Sequence, residues 1–127
     1  MTERNVISEL RESLRAFNRE REWEQFHSPK NLACGLVVEA AELLEVFTWQ
    51  SSAEIGDDDR LRLEEEIGDV QLFLLNLADK LGLDPVECAA KKLEINRTKY
   101  PIESSRGSSK KYTKLGTASE DTESNGR

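Results

Sequence analysis

The chain has 127 residues and a formal net charge of −7, with 34% charged and 37% hydrophobic side chains. This length is typical of one domain. Residues 103–127 carry five basic and four acidic side chains, so residues 1–102 carry a formal charge of −8. Because such a surface repels duplex nucleic acid and no basic stripe relieves the repulsion, we expect no duplex nucleic acid as a partner.

The sequence has no feature of a membrane or exported protein. No apolar run approaches the ~18 residues that would span a bilayer, and the chain begins with polar and charged residues. Cys34 and Cys88 lie beside apolar residues and lack the spacing of a zinc site or a disulfide framework. We therefore expect two buried free thiols in a cytoplasmic protein with no membrane partner.

Two apolar stripes with helical spacing occupy the first part of the chain. The first stripe predicts a helix over about residues 2–21. The second helix begins at Ser28, which is suited to be its N-cap, and Pro29 takes the first helical position. We expect this helix to end near Trp49.

Two further helices follow a polar connection. The third spans about residues 58–81, and Gly82 stands where a left-handed C-cap is expected. The fourth begins at Asp84-Pro85 and runs to about Lys99. Because no segment alternates with period two and the connections are short, the sequence predicts an all-α chain of the four-helix bundle type.

The composition changes near residue 102. The segment 103–127 consists mainly of Ser, Thr, Gly and charged residues, which is typical of a flexible tail. We therefore place the folded domain at residues 1–102. Such a short unit buries a small core, and association with further copies would cover more apolar surface.

Four acids occur as two matched pairs, Glu39 with Glu42 and Glu66 with Asp69. In each pair the i, i+3 spacing places both carboxylates on one face of a helix, among apolar residues where isolated charge is costly to bury. If the two faces meet, the resulting cluster must take up protons or bind cations. Oxygen ligands favour Mg²⁺, and Mg²⁺ held by carboxylates usually accompanies a substrate phosphate. The pattern therefore indicates an enzyme acting on nucleoside phosphates.

Other side chains are suited to hold the rest of a nucleotide. Lys92 and Asn96 share a helix face and can bind phosphate oxygens, although an ordinary solvated helix end would look the same. Trp49 lies ~15 Å along the second helix from Glu39, about the reach of a nucleotide, and Trp23 lies in the irregular stretch before that helix. Both tryptophans are suited to stack on a base or to be anchors of a core or interface.

The spacing E-x-x-E, 23 residues, E-x-x-D resembles that of the MazG-like all-α nucleoside triphosphate pyrophosphohydrolases. The segments WEQFHSPKNL, VVEAAELLEVFTW, EEEIGDVQLFLLNLA, KKLEINRTKYP and SSKKYTKL are similar to the dCTP pyrophosphatase branch of that family. The resemblance implies hydrolysis of dCTP, and of 5-modified dCTP, to the monophosphate and pyrophosphate. It also implies Mg²⁺ as the metal, with Mn²⁺ as a substitute, and a homo-oligomer, either a tetramer, which we favour, or a dimer.

The resemblance also implies roles for individual residues. The metal ligands are Glu39, Glu42, Glu66 and Asp69. For the general base of the implied reaction, we look first among Glu39, Glu42 and Glu45. The pyrimidine pocket comprises Trp23, Glu24, Gln25, Phe26, His27 and Trp49. Phe73 is a substrate-side position that can pack against the deoxyribose. The residues around the phosphates are Lys92, Asn96 and Tyr100.

Two positions depart from the branch, which has a histidine where this chain has Leu14 and a tyrosine where it has Phe73. The loss of an imidazole and a hydroxyl removes possible hydrogen bonds to sugar or phosphate. The substrate therefore stays open between dCTP and other triphosphates, while the reaction type is unaffected. The alternative from another class is a helical interaction module without catalytic activity, although the intact set of four acids favours the enzyme.

Overall fold

The computed structural model describes residues 5–50 and 54–117, and within these ranges every regular element is a helix. The prediction of an all-α chain is therefore confirmed for the described residues. The helices are α1 (Val6–Glu20), α2 (Pro29–Glu45), α3 (Asp57–Lys80), α4 (Pro85–Lys99) and α5 (Ile102–Ser105). Two short 3₁₀ helices cover Glu24–Phe26 and Tyr112–Thr117. The predicted start of the first helix, near residue 2, lies outside the described residues.

The helix boundaries that depend on local capping agree with the sequence. The Ser28 hydroxyl accepts a hydrogen bond from the Asn31 backbone N–H at 3.1 Å and caps α2 at its N-terminus. Gly82 follows α3 with φ of +66°, the left-handed conformation expected of a C-cap. These features depend on a few neighbouring residues, and they form as the sequence predicts.

The predicted end of the second helix at Trp49 is wrong, because α2 ends at Glu45. Residues 46–49 form turns in which the Phe47 N–H bonds the Leu44 carbonyl at 3.0 Å, an i to i+3 bond that tightens the chain. Trp49 itself has φ of +69°, which does not continue a right-handed helix. Its side chain is 97% exposed.

The chain divides into two compact units, Met1–Pro85 and Val86–Arg127. In the first unit α3 packs against α2 over much of its length and against α1. In the second unit the rings of Tyr100 and Tyr112 meet edge to face, 6.0 Å apart. Local structure thus exists within the segment predicted as a tail, and the domain boundary at residue 102 stays a prediction.

The buried core is small. Its apolar members are Leu14, Leu32, Val46, Leu75 and Ala78. Several large apolar side chains of the first unit are more than half exposed, among them Val37, Leu44 and Leu61. No helix in the ranges 5–50 and 54–117 has the length and apolar character needed to cross a membrane.

Both cysteines are free, but the expectation that they are buried is wrong, because Cys34 and Cys88 are exposed. Cys34 lies three and four residues before Val37 and Val38, which are exposed as well. These three residues share a face of α2 that the rest of the described chain leaves uncovered, so apolar neighbours in sequence do not imply burial here.

Candidate metal centre and adjoining cavity

Packing of α2 against α3 brings acids of both helices together. Glu39 and Glu42 on α2 and Glu66 on α3 each offer a carboxylate oxygen, and these oxygens lie within 4.8 Å of one another. The i, i+3 spacing turns the α2 pair toward α3. The predicted convergence of acids is therefore seen for three of the four residues, which we call the acid cluster.

The acid cluster has an excess of negative charge, and the charge of Arg62 offsets it only in part at Glu66. Burial, a hydrogen bond with Glu42 and the nearby charges raise the pKa of Glu39 to about 7. Burial and the charges of Glu42 and Asp69 likewise raise the pKa of Glu66 above its usual range. The Oε2 atoms of Glu39 and Glu66 are buried and have no hydrogen-bond partner within the described ranges. Two orphaned buried oxygens among like charges fit a divalent cation with oxygen ligands.

Asp69 stands at the edge of the acid cluster. It lies one helical turn beyond Glu66 on α3, and its charge contributes to the raised pKa of both Glu39 and Glu66. Asp69 also lines an adjoining cavity, so it connects the acid cluster to that cavity. Glu45 instead lines a different cavity, of about 450 Å³, together with Trp49.

The adjoining cavity has a volume of about 200 Å³ and mainly apolar walls, and we call it the apolar cavity. It is lined by Leu14, Phe17, Asn18, Trp23, His27, Asp69, Leu72, Phe73 and Asn76. The Phe17 and Trp23 rings meet edge to face, with centroids 5.5 Å apart, which fixes one wall. An apolar cavity with a few polar groups and an acid cluster at its edge is a common form of ligand site.

The Phe73 ring packs directly against the backbone of α2 at Gly35. A Cβ atom built on Gly35 would overlap the ring and lie 2.6 Å from its Cδ1 atom. Only a glycine fits beneath the ring in this position. The close approach of α2 and α3 at Gly35 therefore sets where the ring stands in the cavity wall.

Phe73 and the residues predicted for a pyrimidine pocket are divided among several places. Trp23, His27 and Phe73 line the apolar cavity, while Glu24 and His27 line a neighbouring cavity of about 320 Å³. Gln25 donates a hydrogen bond to the Glu22 carbonyl at 2.8 Å. Phe26 is 61% exposed. Neither Gln25 nor Phe26 lines the apolar cavity, and a role for them in binding stays a prediction.

The residues predicted to surround the phosphates belong to the second unit. Lys92, Asn96 and Tyr100 lie on or just after α4. The Tyr100 backbone N–H bonds the Asn96 carbonyl at 2.8 Å, which continues the helical pattern past Lys99. Their contacts with a substrate stay a prediction.

Sequence reasoning missed a set of polar contacts between α1 and α3. Arg15 donates to Asp79 through two nitrogens, one of them Nε at 2.8 Å, and Asn18 Nδ2 donates to Asn76 Oδ1 at 2.9 Å. We call these two pairs the polar ladder. A signal existed, because Asn18 directly follows Phe17 within an apolar stripe, and such a position is usually hydrophobic.

Comparisons with known proteins agree on one family. The MazG-like family model matches residues 36–115. The dCTP pyrophosphatase 1 of Rattus norvegicus is 42% identical over 122 residues, and that of Homo sapiens is 40% identical over 123 residues. Each alignment covers 91% of this chain and 72% of the relative. Among solved structures, a pyrophosphatase from Archaeoglobus fulgidus has a TM-score of 0.73 and 38% identity, covering 80% of this chain and 97% of that one.

Proposed function

Since the chain belongs to the MazG-like family, we propose that it is a nucleoside triphosphate pyrophosphohydrolase that converts dCTP to dCMP and pyrophosphate. The observation that carries the proposal is an acid cluster joined through Asp69 to an apolar cavity. The relatives named dCTP pyrophosphatase 1 support the choice of substrate. The apolar lining is also compatible with dCTP that carries a small substituent on C5.

The metal that we propose for this reaction is Mg²⁺, with Mn²⁺ as a substitute, held by Glu39, Glu42, Glu66 and Asp69. When bound, it would neutralise triphosphate charge and activate a water molecule. The orphaned Oε2 atoms of Glu39 and Glu66 support this ligand set. Positioning and charge stabilisation account for most of the catalysis in phosphoryl transfer, so no nucleophilic side chain is required.

A carboxylate of the acid cluster is also our proposal for the general base. Water attack on the α-phosphorus breaks the bond to the bridging oxygen, releases pyrophosphate and leaves one proton to be accepted. Glu39 and Glu42 lie within the acid cluster, whereas Glu45 lines a separate cavity beside Trp49. Because a general base must lie within hydrogen-bond reach of the water, Glu39 and Glu42 are favoured over Glu45.

The apolar cavity would receive the base. Trp23, Phe73 and His27 supply aromatic surface on which a ring can stack, and the volume of about 200 Å³ favours one ring over two. We propose that Trp49, Lys92, Asn96 and Tyr100 contact other parts of the nucleotide, as their places in the family motif suggest.

We further propose that the protein is a homo-oligomer, a tetramer or else a dimer, acting on the cytoplasmic nucleotide pool. The support is the small buried core together with exposed apolar side chains such as Val37, Leu44 and Leu61. A second copy would cover such surface, as in other homo-oligomers. Sedimentation or light scattering would report the assembly directly.

The test is a substrate panel. The protein with Mg²⁺ is given each canonical deoxynucleoside and ribonucleoside triphosphate and 5-methyl-dCTP, and monophosphate and pyrophosphate are quantified. We expect turnover concentrated on the cytosine deoxynucleotides and abolished by Glu42→Gln. Turnover spread over all bases would keep the reaction and remove the substrate assignment. No turnover of any triphosphate would overturn the proposal and favour an interaction module.

A further inference from the structure

The Asn18–Asn76 pair of the polar ladder forms the polar part of the apolar cavity. Asn18 is 6% exposed, although it lies on a helix stripe of apolar residues. Both asparagines line the cavity that Asp69 connects to the acid cluster. A buried amide needs hydrogen-bond partners, because an unmet donor or acceptor costs about 1–3 kcal/mol.

The bond between the two side chains leaves most of their hydrogen-bonding capacity unused. Asn18 uses an Nδ2 hydrogen and Asn76 uses its Oδ1 atom. An amide has one acceptor oxygen and two donor hydrogens. The pair therefore retains Asn18 Oδ1 as an acceptor, both hydrogens of Asn76 Nδ2 as donors and one further hydrogen on Asn18 Nδ2. Within the described residues, no hydrogen bond is seen to Asn18 Oδ1 or from Asn76 Nδ2.

We propose that the Asn18–Asn76 pair reads the Watson–Crick edge of the base and selects cytosine over uracil and thymine. This inference rests on the proposed function for the site, and it assigns base choice to two residues. Cytosine has an amino donor on C4 beside an acceptor at N3. The N4 amino group donates to Asn18 Oδ1, and N3 accepts from Asn76 Nδ2.

Uracil and thymine have the opposite pattern, with an acceptor at O4 and a donor at N3. Against the observed pair, O4 would face Asn18 Oδ1 and N3–H would face Asn76 Nδ2, which places like groups together. For either base to be held in this register, both amides would have to turn over together and reverse their mutual bond. Rejection of this kind is strong because it leaves buried polar groups unpaired.

The second pair of the polar ladder, Arg15–Asp79, joins the same two helices. Arg15 and Asp79 lie one helical turn from Asn18 and Asn76 on their respective helices, and their two hydrogen bonds tie α1 to α3. Neither Arg15 nor Asp79 lines the apolar cavity. Both pairs of the polar ladder line the neighbouring cavity of about 320 Å³, but only the asparagines also line the apolar cavity. The Arg15–Asp79 pair therefore serves as a control for the apolar cavity.

The experiment compares kcat/KM for dCTP and dUTP in three variants. Asn18→Leu/Asn76→Leu removes both amides at similar volume and leaves no stranded partner. Asn76→Asp keeps an acceptor for Asn18 Nδ2, and so preserves the helix contact while removing the donor to N3. Arg15→Leu/Asp79→Leu is the matched control.

We expect the ratio of kcat/KM for dCTP to kcat/KM for dUTP to fall about 10- to 100-fold in both asparagine variants. This is the discrimination that a base contact with two hydrogen bonds usually provides. The ratio should not change in the control, even where its melting temperature falls. An unchanged ratio in both asparagine variants would overturn the proposal, as would an equal change in the control. A wild-type protein that turns over dUTP as well as dCTP would overturn it too.

Failure of the proposed function can be told apart from failure of this inference. If the wild-type protein hydrolyses no triphosphate, binding of dCTP and dUTP is measured by calorimetry on the same variants. If the wild-type protein binds dCTP more tightly than dUTP and the asparagine variants do not, the pair selects the base even though the protein hydrolyses no triphosphate. Equal binding of both nucleotides to the wild-type protein would overturn it.

Discussion

Helix α3 carries carboxylates at two interfaces that differ in how their charge is balanced. Toward α2, Glu66 meets Glu39 and Glu42, and its pKa is raised by burial and by like charge. Toward α1, Asp79 meets Arg15, and hydrogen bonding to the guanidinium lowers its pKa. The Arg15–Asp79 pair balances its charge within the chain, whereas the acid cluster brings like charges together. An incomplete arrangement in a folded protein is the feature that indicates a site.

The largest expected effect comes from Glu42→Gln, which changes the acid cluster alone. We expect kcat/KM to fall more than about 100-fold, because changes to the outer partners of a metal site already cost 10- to 100-fold. The melting temperature without metal should be unchanged or higher, since one like charge has been removed. Activity assays and thermal melting in chelator measure the two effects. A variant that melts lower and keeps its activity would contradict the assignment.

The next effect comes from Asp79→Asn, which breaks the polar ladder at its charged pair. Arg15 loses an ionised partner, so we expect the melting temperature to fall by several degrees. The KM for dCTP and the dependence on metal should stay close to wild type, because Asp79 does not line the apolar cavity. Melting curves and steady-state kinetics test both parts. Loss of activity without loss of stability would show that the Arg15–Asp79 pair is part of the site.

The smallest expected effect is that Glu39 and Asp79 make the stability of the folded protein depend on pH in opposite directions. The pKa of Glu39 rises from an ordinary 4.5 to about 7 in the folded chain, so the folded state retains a proton that the unfolded state has lost in this range. Stability of the metal-free protein should therefore fall as pH rises from about 4.5 to 7. Asp79 acts in the opposite direction, because its pKa is lowered below 3.8 and its stabilisation is lost only in stronger acid.

Variants and metal separate the two contributions. Glu39→Gln should flatten the decline in melting temperature between pH 4.5 and 7, whereas Asp79→Asn should alter the curve only on the acid side. Added Mg²⁺ should stabilise more strongly as pH rises, because its ligands must be deprotonated. Melting in chelator and in Mg²⁺ across the pH range provides the measurement. A metal-free decline that persists in Glu39→Gln would exclude Glu39 as its cause.

The features that follow from neighbouring residues were predictable from the sequence. The Ser28 N-cap and the Gly82 C-cap each depend on one turn of chain. The acid pairs were predictable because i, i+3 spacing fixes a shared face whatever that face meets. The end of α2 was not predictable in this way, because Trp49 has an apolar side chain that suits a helix but adopts a left-handed backbone.

The contact between Asn18 and Asn76 could not be predicted from the sequence. Asn18 and Asn76 are 58 positions apart, and nothing near either residue indicates the other. Each is visible only as a polar residue among apolar neighbours, such as Phe17 and Leu75. The exposure of Cys34 was missed for a related reason, since burial depends on which face of α2 is covered by the rest of the protein.

The regular geometry of α3 fixes the distance between the two ends of the proposed site. Asp69 and Asn76 are seven residues apart on one face, which places them ~10 Å apart along the axis. A molecule that touches both must match this span, so a free base would reach one end alone. Inserting one residue between them would turn Asn76 by ~100° about the helix. This stretch of α3 should therefore accept no change in the number of residues.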